Sequence, residues 1–189
     1  MKKWILFSQI LQILKIAPGS IKKVFFRGYD GHILSGTKKA RPLFFLLNRS
    51  TFFSFEQLAD IVVYDRPGKK ARFTLIYNLL SVTWNNRLNL ILQVDELTYV
   101  DSITDLYPSA GWLEREVWDM FGIFFSQNID LRRILTDYGF SGFPLRKDFP
   151  LTGFLETYYS DEQKRIVYQP VELSQEMRQF NYDNTWEIK

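Results

Sequence analysis

The 189-residue chain contains no cysteine and a single histidine. Without thiols there is no disulfide framework, no cysteine-held zinc and no cysteine-held iron–sulfur cluster. The one imidazole, His32, stands in Tyr29-Asp30-Gly31-His32, which reads as a turn and offers no supported triad. Gly-x-Gly-x-x-Gly and the phosphate-loop pattern are both missing, so no nucleotide cradle is visible. Long hydrophobic runs are missing too, none reaching the ~18 residues of a membrane span. Trp4-Ile5-Leu6-Phe7 opens like a secretory signal but is broken by Ser8, Gln9, Gln12 and Lys15. Most metal and nucleophilic chemistry is excluded by these shortages.

What is present is a globular composition, 46% hydrophobic and 24% charged, in a length that can bury one core. The net charge of +3 conceals an asymmetry. Residues 1–50 hold ten Lys and Arg against one acid, Asp30, whereas residues 111–189 hold nine against thirteen. A basic end points to an acidic partner, a membrane surface or nucleic acid, without choosing among them.

Leu6, Ile10, Ile13, Leu14 and Ala17 recur at helical spacing opposite Ser8, Gln12 and Lys15, predicting an amphipathic helix ended by Pro18-Gly19. Residues 21–27 and 31–34 flank a turn and predict a hairpin. Residues 43–47 predict a buried helix. Residues 55–65, 72–82 and 87–94 are rich in β-formers, with turns at Arg66-Pro67-Gly68-Lys69 and Asn85-Asn86. Residues 102–107 could open a short helix, and Trp112 to Met120 predicts a firm one. The expected class is α+β: a mostly antiparallel or mixed sheet packed with helices, followed by a long irregular C-terminal tail. The expected division is an α+β domain over 1–122 and an extended segment over 123–189. That segment is rich in Gly, Pro and aromatics, so it is expected to lie ordered along a surface.

The candidate chemistry lies between 112 and 150. Trp112 to Gly122 carries Glu114, Arg115, Glu116 and Asp119, with Arg115 and Asp119 four apart. Paired carboxylates can act as acid and base or hold a hard cation. Arg115 among them is expected to keep them ionised, and a charged helix face with Leu113, Val117 and Phe121 inward is the plainer reading. Two further clusters follow: Asp130, Arg132, Arg133 and Asp137, then Arg146, Lys147 and Asp148. Twin arginines suit phosphate or carboxylate. Over 111–153, however, five cations face six acids, and each basic pair has an aspartate nearby. Shielded ion pairs at Arg132, Arg133 and Arg146 are therefore expected, rather than a nucleic-acid surface.

Three blocks, Glu114 to Ile123, Asp130 to Phe140 and Pro144 to Leu151, closely resemble a family signature. The family is the thirty-kilodalton subunit of respiratory NADH:ubiquinone oxidoreductase, complex I. Weaker similarity covers nearly the whole chain, least in the first fifty residues. Two departures remove imidazoles. Asn128-Ile129 stands where the family usually has histidine-proline, and Phe143 stands where it usually has histidine.

The resemblance implies a core subunit of the hydrophilic arm, in the module where electrons reach quinone. It implies no catalytic, cofactor-binding or metal residue in this chain. NADH, flavin, iron–sulfur clusters and ubiquinone would be held by other subunits of the proton-translocating enzyme. The implied partners are the forty-nine-kilodalton-type subunit and other hydrophilic-arm subunits, with the tail wrapping on neighbours and the signature residues forming the interface. The implied place is the matrix side of the mitochondrial inner membrane, peripheral and of the mitochondrially encoded type, with a bacterial form as the variant. A basic RNA-binding or ribosomal protein, using the N-terminal third, is the alternative class.

Overall fold

The computed structural model describes residues 2–173, 175, 178–180 and 186. The chain divides into two compact units, Met1–Phe149 and Pro150–Lys189. The first is built on a five-stranded mixed sheet in the order β1-β2-β5-β4-β3. Its strands are β1 (Ile21–Arg27), β2 (Asp30–Ser35), β3 (Gln57–Asp65), β4 (Phe73–Ser81) and β5 (Asn86–Val94). The pairings are antiparallel except β2 with β5, which run parallel. That parallel join is allowed by the long connection between them, through α2 (Ala40–Arg49), β3 and β4, which returns the chain to β2 in the same direction. His32 lies within β2 rather than in a turn, and its ring stacks on Phe25 at 4.8 Å.

Strand alternation explains the core. Tyr77 and Leu79 on β4, with Leu88, Leu90 and Leu92 on β5, all point to one face and are buried. α1 (Lys2–Ile16) sets Leu6, Ile10 and Ile13 against that face. Gly31 makes the approach possible, because a Cβ there would come within 2.6 Å of Ile10 Cδ1. α2 adds Leu43, Phe44 and Leu47, and the Phe44 ring meets Tyr77 edge-on at 4.8 Å. Burying a ring such as Phe44 contributes about 1.5–3 kcal/mol. α1 is less one-sided than its spacing predicts: its outer side carries exposed Trp4, Phe7, Leu11 and Ile16.

α3 (Ala110–Phe121) closes the core against β3, burying Val117 and Phe121. A short parallel pair, β6 (Val100–Asp101) with β7 (Phe125–Ser126), ties the segments before and after it. Residues 102–107 form a single turn and no helix, for Ser102 and Ile103 are engaged by Glu114 instead. The first unit runs past Gly122 to Phe149, so residues 123–149 belong to it rather than to an extended tail. The second unit contains a hairpin that the sequence pattern does not predict, β8 (Leu155–Ser160) with β9 (Arg165–Pro170). Much of the expected segment beyond residue 173 lies outside the described residues.

Gly122 ends α3 in the left-handed region, φ 73°, with its N–H bonded to the Trp118 carbonyl. A Cβ there would stand 2.5 Å from Phe143 Cζ and 2.8 Å from Arg146 Nη2. Gly122→Ala is expected to cost about 1–3 kcal/mol through backbone strain and displacement of that loop. Urea unfolding reads this directly, and an unchanged midpoint would contradict it.

Candidate functional site

α3 places two carboxylates, five positions apart, inside the protein. Glu114 and Asp119 are both 0% exposed. Glu114 accepts from Ser102 Oγ at 2.7 Å, the Ile103 amide at 2.9 Å and Asn128 Nδ2 at 2.7 Å. Burial pushes its carboxyl above the ordinary 4.5, and these three donors only partly offset that. The Tyr77 hydroxyl, buried without a hydrogen bond, is pushed up by burial first and by the Glu114 charge second.

Asp119 has a richer set of donors. Its Oδ2 accepts the amides of Ile134, Leu135 and Thr136 at 3.1, 2.7 and 2.9 Å. Its Oδ1 accepts Thr136 Oγ1 at 2.6 Å and Arg133 Nη1 at 3.2 Å. Burial alone would raise this carboxyl, but the Thr136 hydroxyl and the three amides outweigh it and hold it below 3.8. Asp119 thus serves as the hub onto which residues 133–136 fold.

Arg133 extends the hub. It donates twice to the Gly142 carbonyl at 3.0 Å and lies over the Phe143 ring at 5.0 Å. Arg146 donates to the Phe121 carbonyl at 2.6 Å, pairs with Glu96, and covers Phe143 at 4.4 Å. Arg146 and Arg72 each lie 5.2 Å from the Phe73 ring. Arg72 grips Asp65 with two 2.8 Å bonds and reaches Asp148 at 3.0 Å. The Lys147 amide donates to Asp65 at 2.9 Å. The Arg72 bonds hold both the Asp65 and Asp148 carboxyls below their ordinary value. The third signature block is therefore stitched to the end of the β3–β4 hairpin.

The expected pairings are corrected in part. Arg115 does not partner Asp119 or Glu114. Its Nε donates to the Gly111 carbonyl, its guanidinium stacks on Trp112 at 4.1 Å, and it reaches Asp130 at 3.6 Å. Glu114 and Asp119 are interior groups rather than members of a charged outer face. Arg132 is 71% exposed despite its 3.2 Å pair with Asp130, so it is not shielded. Glu116, Asp137 and Lys147 are exposed as well. The carboxylates do not converge on an open cleft, and the described residues hold no group of three or more His, Cys, Asp or Glu able to bind a metal.

Sequence reasoning missed Asp65, Arg72, Glu96 and Ser102. The first two flank a Pro-Gly turn, the one signal that could have paired them. The two departures also find their use. Asn128 supplies Glu114 with an N–H donor, as an imidazole there could, and Phe143 packs on Trp118 at 6.0 Å beneath two guanidinium groups.

Asp119→Ala leaves Arg133 and three amides without their acceptor and is expected to cost about 3–5 kcal/mol. Glu116→Ala on the exposed side should cost about 0.5 kcal/mol or less. Equal effects in thermal unfolding would refute the hub. The two buried carboxyls also give opposite pH responses. The depressed Asp119 contributes stability that is present at neutral pH and lost as pH falls through its folded pKa, below 3.8. The raised Glu114 contributes stability present below 4.5 and lost as pH rises through its folded value. Glu114→Gln removes only the second response. Relative to the parent it should therefore gain stability from pH 4 to pH 8, and a pH-independent difference in melting temperature would contradict the assignment.

The pattern of the family described as "Respiratory-chain NADH dehydrogenase, 30 Kd subunit" matches residues 37–155. NADH-ubiquinone oxidoreductase subunit 9 of Reclinomonas americana is 47% identical over 179 residues, 94% of this chain and 87% of that protein. The corresponding protein of Acanthamoeba castellanii, also named NADH-ubiquinone oxidoreductase subunit 9, is 51% identical over 158 residues, 84% of this chain and 80% of that protein. Among solved structures, a chain of the membrane-bound sulfane sulfur reductase, an archaeal respiratory membrane complex, matches with a TM-score of 0.65 at 26% identity. That likeness covers 76% of this chain and 85% of the other. All three signature blocks lie within the matched stretch and fold into one interlocked charge network, and the chain belongs to the family of the 30-kDa subunit of the respiratory-chain NADH dehydrogenase.

Proposed function

We propose that the chain is a core subunit of the hydrophilic arm of NADH:ubiquinone oxidoreductase, supporting the quinone-reducing module without holding a cofactor itself. One observation carries the structural role. The buried carboxylates of the signature, Glu114 and Asp119, are each bound by several donors of the chain's own fold and have no surface open to solvent. The absence of cysteine removes the usual ligands of an iron–sulfur cluster, so electrons would pass through other chains. The forty-nine-kilodalton-type subunit is the proposed principal partner. The proposed place is the matrix side of the mitochondrial inner membrane; no helix among the described residues is long and apolar enough to cross a membrane.

The second unit is proposed to dock on neighbouring subunits. In its hairpin, the register sets Leu155, Thr157 and Tyr159 beside Pro170, Tyr168 and Ile166 on one face. Leu155, Tyr159 and Ile166 on that face are 62%, 58% and 64% exposed. A two-stranded hairpin is marginal alone and gains stability by covering such a face. The exposed signature residues Arg132, Asp137 and Lys147, with Glu116, are the proposed polar contacts.

Co-purification from solubilised membranes tests the assignment, and the chain should travel with the NADH-oxidising complex. A chain ending at Phe149 should keep the circular dichroism of the sheet yet fail to enter the complex on native gels. Normal assembly of the shortened chain would defeat the docking role. Loss of its sheet signal would show that the second unit belongs to the fold.

A further inference from the structure

The helical layer of the first unit has an open groove that the signature does not touch. It lies between the end of α1 and α2, has a volume of about 450 Å³, and is lined by Ile16, Ala17, Pro42, Phe45, Leu46 and Arg49 among others. Ile16 and Phe45 are 59% and 57% exposed. The groove is held open by fixed parts. The Pro18–Ser20 turn that closes one end is anchored by Lys39 Nζ on the Gly19 carbonyl at 2.8 Å and by Ser35 Oγ on the Ser20 carbonyl at 2.7 Å.

The charged residue on the groove's lining is basic, Arg49. Lys15, next in sequence to the lining Ile16, and Lys38 and Lys39, just before α2, are exposed like Arg49, and residues 1–55 hold a single acid, Asp30. No acid forms an ion pair with any of these four cations among the described residues. Among the described residues, then, no carboxylate complements them, and a partner that carries acids would. A second copy meeting it through the same basic end would bring the same cations and be repelled. A bilayer surface matches in charge but cannot follow a concave groove between two helices, whereas the ridge of a third helix can.

We propose that this groove docks an acidic amphipathic helix of another subunit, its apolar side chains between α1 and α2 and its carboxylates on Lys15 and Arg49. The proposal rests on the chain being a subunit of a larger complex, and its test separates the two. Because the chain has no cysteine, Phe45→Cys introduces its sole thiol. Maleimide labelling at position 45 should slow by about tenfold or more on passing from the free chain to the purified complex. Adding Arg49→Glu should restore fast labelling, and Arg49→Lys should not. Carbodiimide treatment of the intact complex should join the Lys15 amine to an Asp or Glu of another subunit. The product is an amide, the reagent taking up the lost water as its urea. Mapping by mass spectrometry should place that acid in a segment with apolar residues at helical spacing.

Labelling as fast in the complex as in the free chain overturns the proposal while leaving the subunit assignment intact. Coupling only within this chain or to a second copy overturns it too. So does protection that vanishes when lipid is stripped from an intact complex. A chain that never enters the complex removes both readings.

Discussion

A carboxylate taken out of water must find donors on every side, and in this protein Asp119 imposes that demand on the chain. Three consecutive amides, a hydroxyl and a guanidinium answer it. Consecutive amides can converge on one oxygen only if residues 134–136 curl around it, so the carboxylate dictates the path of a segment with no regular structure of its own. Arg133 then fixes Gly142, and Phe143 is brought under Arg133 and Arg146. An irregular stretch of polypeptide is thereby ordered by charge and not by apolar burial alone.

Glu114 makes the comparison instructive. It sits on the same helix, equally buried, with three donors, yet its carboxyl is raised where that of Asp119 is lowered. The difference lies in the balance: at Glu114 burial outweighs the three donors, whereas at Asp119 the Thr136 hydroxyl and the amides of residues 134–136 outweigh burial. Desolvation therefore prevails at one site and hydrogen bonding at the other. Opposite shifts in one helix often announce an acid and a base. Here both groups are fully buried and bound by donors of their own fold, so the same physics that tunes catalytic sites orders the chain around them.

The sheet was largely legible because its signal is local. Alternation in residues 73–81 and 86–94, Pro-Gly at 67–68 and the positive φ of Asn85 are properties of short stretches. α3 was legible for the same reason. What escaped depends on contacts distant in sequence. Glu114 looks like a surface residue until Ser102 and Asn128 are brought to it, and Asp65 meets Lys147 across 82 positions. The β8–β9 hairpin escaped because both its faces carry exposed aromatic and aliphatic side chains, which blurs the two-residue period. Composition could count five cations against six acids over 111–153, but it could not say which of them would meet.

The distribution of roles follows from that wiring. A residue whose hydrogen bonds and charge are used up internally has little left to offer a partner, so the buried half of the signature maintains the fold. The outward-facing apolar groups on α1, α2 and the β8–β9 hairpin are in the reverse condition. They are only partly covered within their own units, and water disfavours leaving the rest open. Recognition of the family therefore rests in large part on residues that hold this protein together, while these outward apolar surfaces lie on elements outside the three signature blocks.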